Sequence, residues 1–264
     1  MIVDYHMHLR APDESLDHSL EGVERFVEVA AERGLDEIGF TEHVYYFTQT
    51  RDLWSTPYHL EHCSYDIEPY VEAVVEAKRQ GLPVKLGLEV DYEPDKEEQT
   101  REVLAPYPWD YLTGSIHFIG QAAIDAEPSL VDQVGVEEAW RRYYETLGRA
   151  ARSGLFDTLA HPDLVKMYGP EIPWDWDAVA DSLDGTCLEV SSMGLHKRHG
   201  KLYPNPELLR EARSHGVGIT LASDAHVPKL VGRDLDKAID HARAAGYDTV
   251  TVFDQRQSRQ EPLG

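Results

Sequence analysis

Met1-Ile2-Val3-Asp4-Tyr5-His6-Met7-His8 opens the chain. Ile2 to Tyr5 reads as a short buried strand, and two histidines follow it at once, two residues apart. In extended chain, residues i and i+2 point the same way, so two imidazoles at this strand end can grip one cation. The pair alone is weak evidence. Its weight comes from the recurrence of similar residues at later strand ends.

Working outward, a polar loop from Leu9 to Asp17 leads to His18 and Ser19. Ser19 can cap a helix over Leu20–Arg33 that Gly34 stops. Glu37–Phe40 reads as a second strand, ending in Thr41-Glu42-His43. Residues 44–66 form a long insertion rich in aromatic residues, the pattern of a lid or substrate loop. A helix to Gln80 precedes a strand over Val84–Leu88, which ends in Glu89-Val90-Asp91. Further strands are expected at Tyr111–Ser115 before His117, at Thr158–Ala160 before His161, at Thr186–Val190, and at Gly218–Ala222 before Asp224 and His226. Helices over Glu93–Leu104, Glu137–Arg152, Ala178–Leu183, Pro206–His215 and Leu235–Ala245 separate them. A short strand at Thr249–Phe253 and a polar tail finish the chain. Strand and helix alternate about seven times, which makes a parallel sheet with right-handed crossovers. Short, apolar, evenly spaced strands favour closure into a barrel, with the site at the C-terminal strand ends.

That end would collect His6, His8, His18, His43, Glu89, His117, His161, Asp224 and His226. Imidazole with carboxylate suits zinc, iron or manganese. Nine ligands exceed one ion's needs, so two or three divalent ions are expected, with Glu89 as the bridging carboxylate. Paired ions polarise a phosphoryl group and make hydroxide near neutral pH.

Composition bounds the rest. The chain has 264 residues, 42% hydrophobic, a globular composition in which one domain over 1–264 is expected. The formal charge of −23 and the lack of a basic run argue against long nucleic acid and acidic membranes. No apolar run approaches the roughly 20 residues of a membrane span. A cytoplasmic protein is expected. Cys63 and Cys187 are too few for a disulfide framework and read as inert. Nothing in the sequence sets the oligomeric state.

The runs His6-Met7-His8, Thr41-Glu42-His43, Gly87-Leu88-Glu89, Gly114-Ser115-Ile116-His117, Ala160-His161-Pro162 and Ser223-Asp224-Ala225-His226, with His18, resemble the PHP (polymerase and histidinol phosphatase) family. Gly114 to Phe118, His161 to Lys166 and Tyr203-Pro204 resemble its histidinol-phosphate phosphatase branch. The resemblance implies a distorted barrel of seven β/α units, TIM-barrel-like, with a trinuclear site. It puts His6, His8, Glu89 and Asp224 on one ion, Glu89, His117 and His161 on a second, and His18, His43 and His226 on a third. The implied activity is hydrolysis of L-histidinol phosphate in histidine biosynthesis, by in-line attack of a metal-bridging hydroxide. Glu89, His117, Asp224 and His226 would be the catalytic residues.

One departure stands out. This branch carries Gly-Leu-Arg-Lys after strand six, where here the run is Gly194-Leu195-His196-Lys197-Arg198. His196, Lys197, Arg198 and Arg51 are therefore the candidate substrate-binding residues. Two rivals remain: a phosphoesterase of the same type acting on nucleotides or short oligonucleotides, and a non-catalytic metal-binding domain. His59 and His62 read as lying in a loop or helix start, away from the strand ends. Asp91 and Asp163 read as structural or supporting, and Glu42 as either an imidazole's partner or a surface acid.

Overall fold

In the computed structural model, residues 1–183 and 185–264 are described. The elements run β1 (Val3–Asp4), α1 (Leu20–Glu32), β2 (Glu37–Phe40), α2 (Pro57–His62), α3 (Glu68–Arg79), β3 (Val84–Leu86), β4 (Glu89–Asp91), α4 (Glu97–Leu104), β5 (Thr113–Ser115), β6 (Phe118–Ile119), β7 (Ala122–Ala123), α5 (Leu130–Val134) and α6 (Val136–Arg152). They continue with β8 (Thr158–Leu159), α7 (Trp176–Asp181), β9 (Cys187–Ser191), α8 (Pro206–Ser214), β10 (Gly218–Ala222), α9 (Leu235–Ala244), β11 (Thr249–Asp254) and β12 (Gln257–Pro262).

Two parallel ladders, β1-β2-β3 and β10-β9-β8-β5-β4, make up the sheet. Backbone contacts join them at both ends. Glu89 N donates to Glu42 O at 3.1 Å, and Tyr5 N donates to Leu221 O at 2.9 Å. β3 and β4 occupy one strand position, broken at Gly87-Leu88. Seven strand positions thus ring a distorted α/β barrel, as expected. The interruptions are its distortion.

The helices form for local reasons. Ser19 caps α1 by accepting from Gly22 N, and Val23, Phe26 and Ala30 face the core. Pro94 and the left-handed Asp95 delay α4 to Glu97, four residues later than the charge pattern predicts. No helix among the described residues is long and apolar enough to cross a membrane.

Two stretches hold more structure than their sequences announce. Residues 44–66 are not an open loop: they form tight turns and α2. Phe47 pairs with Tyr65, and Thr48 N donates to Tyr65 O at 2.8 Å. The polar tail is β12, antiparallel to β11. Its turn places Gln255 and Arg256 at φ 49° and 63°, a conformation usually flagged by glycine or asparagine and so hidden here.

Tyr111 fills the barrel between strands. It is fully buried, and its hydroxyl donates to Tyr5 O at 2.8 Å. Gly39 and Gly87 leave it room: a Cβ at either position would run into the Tyr111 ring. Gly39→Ala is therefore expected to destabilise the fold by about 2 kcal/mol through overpacking. Urea denaturation checks this, and an unchanged midpoint would refute the packing role.

Candidate metal centre

Six of the seven strand positions bring a donor to one mouth: His6 and His8 follow β1, His43 follows β2, Glu89 opens β4, His117 follows β5, His161 follows β8, and Asp224 and His226 follow β10. Glu89 is at the centre and is only 1% exposed. Its Oε1 lies 3.1 Å from His161 Nε2 and 3.5 Å from His117 Nε2. Its Oε2 lies 2.6 Å from His43 Nδ1, 3.6 Å from His6 Nε2 and 3.8 Å from His8 Nε2. Asp224 Oδ1 completes the inner face, 3.4 Å from His8 Nε2 and 3.7 Å from His6 Nε2.

Behind these groups stand three more carboxylates. Glu189 Oε2 accepts from His6 Nδ1 at 2.6 Å. Asp91 Oδ1 meets His117 Nδ1 at 2.7 Å, and its Oδ2 meets His59 Nε2 at 2.7 Å. Glu42 bridges His8 Nδ1 at 3.2 Å and His18 Nε2 at 3.1 Å. With Nδ1 engaged, the Nε2 atoms of His6, His8 and His117 are left facing Glu89. This is how outer carboxylates orient metal-binding imidazoles.

The electrostatics match an acid–imidazole cluster. Burial pushes the Glu89 carboxyl up, but His117, His6, His43 and His161 outweigh it and hold it well below the ordinary range. Burial likewise raises Asp224, but His6, His8 and His226 bring it well below. Burial lowers the His117 imidazole, yet Asp91 and Glu89 hold it up at about 10. Burial and the neighbouring His8 press His226 down to about 3.

The donor set fits divalent cations. His6 Nε2, His8 Nε2 and Asp224 Oδ1 are buried and lack a hydrogen-bond partner, and His43 Nδ1 and Glu89 Oε2 have only each other, at 2.6 Å. Buried polar atoms are seldom left this way, and here they converge. His6, His8 and Glu89 form one group whose donor atoms lie within 4.8 Å of one another; His43, Glu89 and His117, and His8, His43 and His226, form two others. His161 and Asp224 also sit at φ 26° and 51°, strained values for non-glycine residues of the kind that cluster at functional sites.

Of the nine residues read from strand and loop ends, eight converge on this space. His18 is set back: its Nε2 is taken by Glu42, and its ring lies 5.5 Å from that of Tyr70. The substrate candidates fare differently. Lys197 lines the mouth, together with Arg10, Tyr45, Tyr46, Tyr58, Phe118 and Asp125. Arg51 does not reach it, because its guanidinium binds the carbonyls of Leu60 and Cys63 at 3.3 Å. His196 turns to Asp234 at 2.8 Å, and Arg198 to Glu127 at 3.0 Å. His59, read as lying in a loop or helix start, is fully buried on Asp91. Glu189 was missed; the signal was a glutamate inside the apolar run Cys187-Leu188-Glu189-Val190.

The PHP domain family matches residues 4–195. A probable histidinol-phosphatase of Deinococcus radiodurans is 32% identical over 256 residues, spanning 92% of this chain and 94% of the relative. One of Schizosaccharomyces pombe is 23% identical, spanning 90% and 86%. Among solved structures, histidinol phosphate phosphatase of Lactococcus lactis, complexed with zinc, L-histidinol and phosphate, has the same fold. Its TM-score is 0.73 at 22% identity, covering 98% of each chain. A putative histidinol phosphatase of Listeria monocytogenes gives 0.74 at 21% identity, covering 89% of this chain and 99% of that one.

A chelator is expected to lower the thermal midpoint, because an ion bound only by the folded chain adds about 3 kcal/mol at a hundredfold excess over Kd. Zinc or manganese should restore it, and a chelator-insensitive midpoint would count against a bound ion. Asp91→Asn should weaken metal affinity by about 10- to 100-fold, measured by titration with a competing chelator.

Proposed function

The chain belongs to the PHP domain family, and from that premise we propose that it is a metal-dependent phosphomonoesterase acting on L-histidinol phosphate, in histidine biosynthesis. In this reading residues 1–264 work as one unit in the cytoplasm. The observation that carries the reading is the convergence of unpartnered donor atoms around Glu89, at a cavity of about 280 Å³ that suits a small substrate. Its similarity over most of its length to probable histidinol-phosphatases supplies the substrate.

His6, His8, Glu89 and Asp224 would hold one ion, and Glu89, His117 and His161 a second. His43 and His226, with His8 beside them, would hold any third. The all-nitrogen-and-oxygen donor set favours zinc, manganese or iron. Such ions supply Lewis-acid charge to a phosphoryl oxygen and lower the pKa of a water at the site.

The chain's own side chains do the rest. Glu189, Glu42 and Asp91 fix the ring orientation of His6, His8 and His117. Asp224 stays a carboxylate and so serves as a ligand rather than a proton donor. His226, with a third of its side chain exposed, stands beside Asp224 at the rim of the mouth and would serve as a ligand. Lys197 adds positive charge at the rim. Tyr45, Tyr58 and Phe118 offer faces to the substrate's imidazole, and Asp125 a partner for its amine.

Purified protein with manganese or zinc should release inorganic phosphate from L-histidinol phosphate faster than from AMP or a short oligonucleotide. Glu89→Ala and His117→Ala should each lose more than about tenfold in kcat. Wild-type rates in both variants would sink the metal mechanism, and a preference for AMP would move the substrate to nucleotides.

A further inference from the structure

Arg10 follows the first histidine pair, on a small hairpin of its own. A bridge between Arg10 and Leu16 fixes its backbone, as do Ala11 N on Ser15 O at 2.8 Å and Asp17 N on Leu9 O at 2.9 Å. The side chain is half-buried and lines the same mouth as Glu89, His43 and His226. Its Nη2 donates to the Tyr46 hydroxyl at 2.6 Å, and the Tyr46 ring lies 5.4 Å from that of His43. The guanidinium is therefore one aromatic ring away from the metal-binding cluster.

Arg10 brings unfilled donors to the mouth. Its Nε is buried without a hydrogen-bond partner, and its Nη1 has only the Glu14 carbonyl at 3.4 Å. Among the described residues it makes no ion pair, in a chain with 48 acids against 25 bases. Arg25 and Arg233 also bury an unpartnered Nε, but Arg25 pairs with Asp17 and Glu21, and neither lines the mouth. Charged groups rarely stay buried unless something pairs with them. A guanidinium with unfilled N–H donors at the lining of such a mouth is complementary to two phosphate oxygens. Other cations cannot fill the role. His196 is tied to Asp234, which also takes Lys237 at 2.5 Å. Arg51 and Arg198 are engaged elsewhere. Only Lys197 joins Arg10 among the cations lining the mouth.

We infer that Arg10 is a substrate-binding residue that clamps the phosphate, its Nε–H and a free Nη N–H on two phosphoryl oxygens, with Tyr46 holding the fork and Lys197 as the second cation. The inference rests on the phosphatase reading above. It makes the loop after β1 a source of phosphate recognition in this chain, beyond that strand's histidines.

The test is calorimetric titration of inorganic phosphate into manganese-loaded wild type, Arg10→Met and Arg10→Lys, alongside steady-state kinetics on L-histidinol phosphate. Methionine keeps the apolar stem and removes the fork. Phosphate affinity should fall about tenfold or more in Arg10→Met and less in Arg10→Lys, as expected for lost charge-assisted hydrogen bonds. KM should rise by a similar factor, with metal content and thermal midpoint unchanged. Wild-type phosphate affinity in Arg10→Met overturns the clamp, as does a wild type that binds no phosphate. If Arg10→Met fails to fold, Arg10→Lys decides: undiminished phosphate binding there overturns the clamp. If phosphate binding depends on Arg10 but the wild type does not turn over L-histidinol phosphate, the substrate reading fails and the clamp stands.

Discussion

The buried carboxylate of Glu89 sets the terms for the rest of the molecule. Removing an ion from water costs several kcal/mol even after relaxation, so the group must be paired. Five imidazoles surround it, from His6, His8, His43, His117 and His161. They come from positions up to 155 residues apart in sequence, between His6 and His161. No local element can bring them together. Closing seven short strands into a ring does so, and the apolar interior beneath, plugged by Tyr111, keeps the ring closed.

A cluster of this kind is self-defeating if its imidazoles turn freely, since each ring has two nitrogens and only one should face the centre. The carboxylates of Glu189, Glu42 and Asp91 resolve this by engaging Nδ1 on His6, His8 and His117. Each is itself buried, so an inner set of charges is held by an outer set. The backbone contributes too: His161 and Asp224 hold positive φ angles just beyond β8 and β10. Asp91 carries the arrangement outward. By binding His59 as well as His117, it fastens α2 to the metal centre and makes the 44–66 segment a fixed wall.

The sequence made legible those features that depend on short-range periodicity. His6 and His8 are readable because a strand places i and i+2 on one side, and the other ligands because each follows an apolar run. The seven-strand alternation was readable for the same reason. Features that depend on distant partners were not. Glu189 sits mid-strand, where only its neighbour across the barrel gives it a purpose. His59 lies 32 residues from the Asp91 that holds it, and Arg10 lies 36 from Tyr46. Arg51 was plausible as a clamp from charge alone, but nearby carbonyls claimed it. The β12 strand escaped notice because its turn uses Gln255 and Arg256 where glycine would have been the cue.

The net charge of −23 poses a problem for an enzyme whose substrate carries a phosphate. At physiological salt the field of distant surface charges fades within about 8 Å, so recognition is decided by what lines the mouth. There the balance is mixed. Arg10 and Lys197 share the rim with Asp125 and the faces of Tyr45, Tyr58 and Phe118. An amine-bearing phosphate monoester has opposite charges at its two ends, and such a mouth has a place for each. In the proposed reading Asp125 would take the cationic end, and Arg10 and Lys197 the anionic one. Ligands with phosphate alone would satisfy half of that arrangement.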